Sequence, residues 1–492
     1  MPSGRVYDLA VGPAPAVRSM SARSAMMADL AGLLDHRALV APEDAPPYEQ
    51  GYRYGAGCAA SVVRPASIAE LRAIVTYCCR NDIGFLVQGA NSGLVGASTP
   101  DDSGDQLLIN LTRMTGIEEL DVLDRAATVL AGTRLSAVNA AAASHQLCFP
   151  IDLGADPTIG GMVATNTGGA RMLRYGDVRR NLLGLEVVLA DADATIVTDL
   201  AGLRKDNSGF DWKQIFVGTG GAFGIVTRAR IELHHLPQRT TAALVVPRGQ
   251  EAVPRIIALL ETALGDGLTA CEGMSRNAMR AAFDHHPSLR DPFGGRIPDY
   301  VLLVELGTSM PEAILPDLDA ALAEAIGSAL VGASPDIEDV LVGRPADFWA
   351  IRHSISDGIA RSGQVIAFDI AVQRSKLPAF RSAALAMLAS DFPQIQVCDF
   401  GHCGDGGDHF NLVWPTCDLP PEAERRPVIE ALRGAIYDLV VFGFGGTYSA
   451  EHGVGPHNQE YYDRYKPEPA RALSGRLQSM FDEKGLMGNV RL

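Results

Sequence analysis

A chain of 492 residues is long for one core and suits two domains of roughly 200 residues each. Its 47% of apolar residues can fill cores of that size, while a formal charge of -16 argues against nucleic-acid partners, whose binding rests on Lys and Arg neutralising phosphates. No run reaches the roughly 18 uninterrupted apolar residues of a membrane span, and the opening MPSGRVYDLAVGPAPAVRSM has no clear small-residue cleavage site, so a cytoplasmic protein is expected.

The first forty residues, rich in Ala, Ser and Met, read as a partly disordered lead without an assigned role. From about residue 60 helix and strand alternate. Ser67 and Glu70 form a capping box, and Ile68, Leu71, Ile74, Val75 and Cys78 repeat at helical spacing before a strand from Ile83 to Val87. A loop of small residues, QGANSGLVGAS, follows. Strands are expected at Leu107 to Leu111 and Thr128 to Ala131, then an Ala-rich helix from Leu135 that stops at Pro150. A second loop, IDLGADPTIGGMVATNTGGA, holds too many Gly and Thr for a core element. A third Gly-rich turn, VGTGGAFGIVT, leads into a strand ending near Leu233.

After Pro237 the composition shifts towards an α+β second domain, with a helix from about Glu251 to Leu264 and strands near Val301 to Leu306 and Ile366 to Val372. The last hundred residues mix a Gly-rich hairpin with two helices, and no internal repeat is visible.

Glycine loops bring a backbone close to a pyrophosphate and point N-H groups at its charge. Each alone is no more than a turn. GTGGAFG does not fit GxGxxG, and no GxxxxGK[ST] occurs, so the common nucleotide fingerprints are missing. Further along, FGHCGDGGDHFNLVW reads as strand, tight turn, strand, which sets His402 and His409 on either side of a hairpin tip and puts His409 and Asn411 on one strand face. SAEHGVG places Glu451 and His452 in a later loop. Two imidazoles and a carboxylate suit zinc or manganese, but two histidines seven apart are also commonly unrelated, and nothing in the spacing makes these segments meet.

In order and spacing, VVRPASIAEL, QGANSGLVG, DPTIGGMVATNTGG, RYGDVRRNLLGLEVVLAD and LRKDNSGFDWKQIFVGTGGAFGIVT resemble the FAD-binding domain of the vanillyl-alcohol oxidase and p-cresol methylhydroxylase (PCMH) superfamily, in its D-lactate and D-2-hydroxyglutarate dehydrogenase branch. That branch also carries HxGDGNxHxN followed by EHGxG, matched here by HCGDGGDHFN and EHGVG. The resemblance implies a two-domain α+β PCMH-type fold: an FAD-binding domain at 40-237, a substrate domain of the FAD-linked oxidase C-terminal type at 238-445, and a tail at 446-492 returning to the flavin.

By the same resemblance Gly89, Asn91, Ser92, Gly93 and Leu94 cradle the pyrophosphate. Pro157, Thr158, Gly160, Gly161, Asn166, Gly168 and Gly169 line the rest of the flavin, joined by Gly224, Ile225 and Val226 of the third turn. Members with tethered flavin have a His in the first loop or a Cys further on; Asn91 and Ser92 imply non-covalent FAD. A divalent metal, zinc before manganese, is implied on His402, His409 and Glu451, with His452 taking the hydroxyl proton of a D-2-hydroxy acid (D-2-hydroxyglutarate, D-lactate or similar) while hydride passes to flavin N5.

For the substrate carboxylate, Arg352 in FWAIRHSISDG is the expected cation, because a guanidinium grips a carboxylate with two hydrogen bonds; Ser356 one turn later and Asn411 are set beside it. Gly220 and Ala222 replace Glu and Thr, Gly407 replaces Asn, Ala367 stands where 2-hydroxyglutarate-type members often carry Lys, and Asn458 replaces a frequent Lys. Losing those cations weakens the case for a dicarboxylate. The eight cysteines include no CxxC, so electrons are expected to leave to an external acceptor, an electron-transfer flavoprotein, quinone or cytochrome. A homodimer is compatible with this reading. The rival readings are a metal-independent flavin oxidase of the superfamily and a non-catalytic FAD-binding subunit of a glycolate-oxidase-like complex.

Overall fold

The computed structural model describes residues 20-330 and 335-492, and for residues 20-22, 328 and 329 the backbone alone. The opening stretch 1-19, which the sequence reads without a cleavage site, lies outside the described residues. Among the described residues no helix is long and apolar enough to cross a membrane.

The N-terminal body combines two sheets over one core. Ser61–Val63, Leu107–Asn110 and Phe85–Gln88 pair in parallel with Leu107–Asn110 in the middle, and their apolar runs suit a sheet covered on both faces. The helix Ile68–Arg80 makes the crossover. Ser67 Oγ accepts the Glu70 N-H at 3.1 Å, Glu70 reaches back to the Ala66 N-H at 2.6 Å, and the helix buries Leu71, Ile74, Val75 and Cys78. Beside it, five antiparallel strands run in the order Ile117–Asp121, Ala126–Leu130, Ile225–Glu232, Leu182–Val188, Ile196–Asp199.

The second body is a seven-stranded antiparallel sheet ordered Ile337–Gly343, Arg239–Pro247, Tyr300–Thr308, Leu268–Ser275, Phe400–Gly401, Gly407–His409, Asp369–Ala371. The strand period of two divides its side chains between two cores. Ala243, Val245, Leu302 and Val304 face the helices Val253–Leu264 and Leu318–Leu330, while Ala242, Leu244, Val301 and Leu303 face Arg276–His285 and Pro345–Ser362.

The two bodies are pinned where the second glycine loop ends. Arg171 donates Nε to Glu305 at 3.0 Å and Nη1 to Asp152 at 2.5 Å, and Trp349 Nε1 donates to the same Glu305 carboxylate at 2.7 Å. After the helices Gln459–Tyr465 and Glu468–Phe481, the tail returns to the first body. Met487 bridges Phe85 at the edge of the parallel sheet, and Asn489 donates to Thr99 O at 2.7 Å.

Three expectations are corrected. From residue 20 the lead is no loose approach to residue 40: the helix Met20–Leu33 buries Met26 and Leu30 in the first core, so this body begins before residue 40. The helix from Leu135 ends at Ala143 rather than running to Pro150, because the strand Leu147–Cys148 pairs with His234–His235. The expected strand Ile366 to Val372 is two strands in different sheets, Gly363–Ile366 and Asp369–Ala371, with the chain changing sheets at Ala367 and Phe368.

Candidate active site

The hairpin tip depends on tight turn geometry. Phe400 pairs with His409, Gly407 N-H donates to His402 O at 3.1 Å and to Asp405 Oδ1 at 2.8 Å, and at Gly406 (φ +92) a Cβ would lie 2.3 Å from Val372 O. Only glycine fits there. The rings of His402 and His409 therefore converge, with centroids 5.0 Å apart. Gly407, where the branch pattern has Asn, would set a Cβ 2.9 Å from Asp405 Oδ1, so a small residue suits this turn.

The loop carrying Glu451 and His452 is brought over the hairpin by Asp369. Its Oδ2 accepts the main-chain N-H groups of Ala450, Glu451 and His452 at 3.0, 3.0 and 2.8 Å. Glu451 Oε1 then sits 3.6 Å from His402 Nε2, 3.4 Å from His409 Nε2 and 4.0 Å from His452 Nε2. Three imidazoles and one carboxylate, from segments 40 residues and more apart, meet at one point.

Two further acids organise the cluster, and neither was marked by the sequence motifs. Glu272 accepts His402 Nδ1 at 3.1 Å on Oε1 and both Nε and Nη2 of Arg352 at 2.7 Å on Oε2. Asp369 Oδ2 lies 3.6 Å from His452 Nδ1. Their signal was an acid inside an apolar strand, TACEGMS and AFDIAV, since unpaired acids are almost never fully buried.

Charge follows from this wiring. Burial alone would lift Glu272, but His402 and Arg352 prevail and hold it at about 2. Burial pulls His402 down, yet Glu272 and Glu451 keep it well above the ordinary histidine range. Burial takes His409 to about 4, leaving a neutral imidazole with a free lone pair. Glu451 is held below the usual carboxylate range, where its histidine neighbours outweigh burial.

This donor chemistry fits a divalent ion. Ligand atoms of Asp369, His409, Glu451 and His452 lie within 4.8 Å of one another. Asp369 is the weakest of that set, because its Oδ2 already accepts three N-H groups. His402 is the stronger candidate: it turns Nε2 towards Glu451 and gives Nδ1 to Glu272, and a carboxylate behind an imidazole orients metal-binding histidines and raises their basicity.

Arg352 is placed differently from the expectation of a free cation. It is buried over the Phe400 ring at 4.5 Å, with its Nε and Nη2 edge taken by Glu272, so what remains for a ligand is the Nη1 side. Ser356 is exposed on the same helix and makes no hydrogen bond with the cluster. Asn411 is buried two residues beyond His409, and its amide makes no hydrogen bond among the described residues. Asn458 braces the loop, donating to Gly453 O at 2.8 Å and accepting Gly455 N-H at 2.9 Å.

The glycine loops lie against this cluster. A Cβ at Gly168 would be 3.3 Å from Glu451 Oε2, and one at Gly169 (φ +146) 2.6 Å from Asp152 O. Gly89 abuts Thr158, whose Oγ1 would be 2.2 Å from a Cβ there, joining the first and second loops. Asn91 (φ 55) is tied to Gln50 O at 2.7 Å and to Ser98, and Asn166 (φ 51) ends the helix Ile159–Thr165. No main-chain N-H from Gly89 through Leu94 donates to an acceptor among the described residues, and the loop is half-buried with Gly93 exposed, so these donors are open to a ligand. That row of donors fits a pyrophosphate. Gly160 instead packs on Ala131 and Gly224 on Phe216, while Pro157 O accepts Leu135 N-H. Ile225 and Val226 turn their side chains into the core, which leaves them the main chain for any ligand.

Comparison with known proteins identifies the family of both parts of the chain. Residues 59–198 match the family described as FAD binding domain, and residues 236–491 the C-terminal domain of FAD linked oxidases. The mitochondrial D-2-hydroxyglutarate dehydrogenase of Bos taurus is 30% identical over 473 residues, 95% of this chain and 83% of that protein. The D-2-hydroxyglutarate–pyruvate transhydrogenase of Saccharomyces cerevisiae is 28% identical over 460 residues, 91% of this chain and 89% of its own. Among solved structures, alkyldihydroxyacetonephosphate synthase superposes with a TM-score of 0.69 at 14% identity, covering 99% of this chain and 87% of that one. Substrate-bound p-cresol methylhydroxylase gives 0.68 at 13%, covering 95% and 96%. These last two show a shared PCMH-type fold.

Proposed function

Because this chain belongs to the FAD linked oxidases and is a flavoprotein oxidoreductase, we propose that it oxidises a small D-2-hydroxy acid to the 2-oxo acid with a divalent metal at the cluster. The observation that carries this is Glu451, whose Oε1 faces three imidazole nitrogens while its Oε2 lies against Gly168 of the flavin loop. His402, His409 and Glu451 would hold the ion, zinc before manganese, and the donors of Gly89 to Leu94 would hold the FAD pyrophosphate without a covalent link. When bound, FAD supplies the two-electron acceptor and the ion a Lewis acid for the substrate hydroxyl.

The chain's own residues divide the remaining work. Asp369 faces Nδ1 of His452, which favours the tautomer with the proton there and leaves Nε2 to accept the hydroxyl proton. Asn411, with no protein partner for its amide, and the Nη1 side of Arg352 orient the carboxylate. Phe400, packed under Arg352 and edge-on to His409 at 5.5 Å, keeps the two groups apart and dry. The eight cysteines of the sequence include no CxxC, which supports passing electrons to an external acceptor.

The test is anaerobic bleaching of the flavin's visible band by a panel of D- and L-2-hydroxy acids, before and after chelation and with His452→Ala. Bleaching by D-acids alone, lost on chelation and in the variant, is the expected result. A bound flavin that no acid reduces would overturn the reading.

A further inference from the structure

The loop carrying Glu451 and His452 is fastened at two ends, and Asp369 holds only the first. Beyond His452 the loop folds on itself: Ser449 Oγ donates to Gly453 O at 2.8 Å, and Asn458 bonds both Gly453 O and the Gly455 N-H. It then meets the first glycine loop. His457 N-H donates to Val95 O at 3.1 Å, and a Cβ at Gly455 would lie 2.5 Å from the same carbonyl, so the two main chains run in contact. Val95 directly follows Gly89 to Leu94, the row of donors that fits the pyrophosphate.

A short hairpin spans the same two loops. Gln50 and Ala56 bridge, and Gly51 N-H donates to Gly55 O at 2.9 Å, which places Tyr52, Arg53 and Tyr54 at the tip. The base of the hairpin rests on the first glycine loop. Asn91 Nδ2 donates to Gln50 O at 2.7 Å, and Gly55 (φ +87) lies so close to Thr99 that a Cβ would be 2.1 Å from its Oγ1. Tyr52 and Arg53 are exposed, whereas Tyr54 is half-buried against His457, with ring centroids 3.5 Å apart and planes within 9° of parallel. Burial holds His457 at about 4, so at neutral pH an uncharged imidazole lies on the phenol.

The flavin loop and the catalytic loop are thus joined twice, once by main chain at Val95 and once by the stacked rings. Both are irregular segments, and whatever orders one reduces the cost of ordering the other. A coupling of this kind is reciprocal: if one ligand tightens a second, the second tightens the first by the same factor. The hairpin lies outside residues 59–198, which match the FAD binding family, and neither Tyr54 nor His457 belongs to the cluster of metal-ligating side chains.

We propose that Tyr54 is a positioning residue: through His457 it registers the Glu451 and His452 loop against the flavin loop, so that FAD and the divalent ion bind cooperatively. The proposal rests on the reading above, in which the cluster holds a metal and the Gly89 to Leu94 row the pyrophosphate.

The experiment measures the zinc affinity of the full chain by competition with a chromophoric chelator, without and with saturating FAD, and its FAD affinity by flavin fluorescence, without and with zinc. In wild type each ligand should tighten the other by at least about 5-fold, equally in both directions. Tyr54→Ala should cut that factor to about twofold, since the His457 N-H bond to Val95 remains, and Tyr54→Phe, which keeps the ring, should retain it. A wild-type factor near one overturns the proposal. So does a Tyr54→Ala protein that keeps the wild-type factor, even with lower affinities or a lower melting temperature, because the residue would then serve packing alone; either result leaves the reaction standing. Zinc affinity unchanged by His402→Ala and by His409→Ala overturns the metal reading itself, and the proposal with it.

Discussion

Arg352 and His402 are joined through one buried carboxylate: Glu272 accepts the guanidinium on Oε2 at 2.7 Å and the imidazole Nδ1 on Oε1 at 3.1 Å. Residues assigned to the substrate and to the metal are thus held by two atoms of one side chain. Glu272→Gln keeps the shape but leaves Arg352 a buried charge without its counter-ion, which destabilises by about 3 to 5 kcal/mol. It also weakens the orientation of His402, so affinity for zinc, measured by competition with a chromophoric chelator, should fall about 10- to 100-fold. Unchanged zinc affinity with lowered stability would restrict Glu272 to packing.

Acid should loosen the docking of the two bodies through Glu305. Burial lifts its carboxyl, but Arg171 outweighs that with help from Thr269 and Trp349, and holds it below the ordinary glutamate range. A carboxylate depressed in the folded state contributes stability that is fully present above its unfolded value, about 4.3, and is lost as pH falls through the lower folded value. Urea midpoints of wild type should therefore drop as pH falls below about 5. Glu305→Gln should start lower at pH 7 and show a shallower fall over the same range. Parallel curves for the two proteins would place the acid sensitivity elsewhere.

What was legible in the sequence was chiefly what local chemistry fixes. The Ser67–Glu70 cap and the 400–409 hairpin declare themselves in a few consecutive residues, and the structure forms both. The meeting of that hairpin with Glu451 depends on Asp369 binding three N-H groups about 80 positions away, which no periodicity encodes. Arg352 illustrates the converse. Its chemistry suggested a free cation, but its partner is a strand residue 80 positions earlier, and only the fold introduces them. The break between Gly363–Ile366 and Asp369–Ala371 was hidden for a related reason: a run that is apolar but for Asp369 looks the same whether it stays in one sheet or crosses to another.

Asp369 should act on the reaction through the loop that it holds. Asp369→Ala releases the N-H groups of Ala450, Glu451 and His452 together, so both zinc affinity and the rate of flavin reduction should fall. His452→Ala removes the base alone and should slow reduction by about 10²- to 10⁴-fold with zinc affinity nearly unchanged. Stopped-flow reduction and chelator competition on the same preparations separate the two. If Asp369→Ala slowed reduction and left zinc binding intact, its role would be confined to His452.

The first glycine loop offers a test of close approach that leaves the protein's own packing untouched. A Cβ at Gly93 would have no protein atom within 4 Å, so Gly93→Ala should leave the apo protein's melting temperature unchanged. If the N-H groups around it face a pyrophosphate, the added methyl intrudes on that ligand alone, and FAD affinity should fall about 10-fold. Gly169→Ala is the contrasting case, since its φ of +146 and a Cβ 2.6 Å from Asp152 O impose strain within the protein itself. That variant should lose both melting temperature and FAD binding. Fluorescence titration of FAD into each apo variant, beside thermal melts, distinguishes them; a Gly93→Ala protein with wild-type FAD affinity would move the pyrophosphate away from this loop.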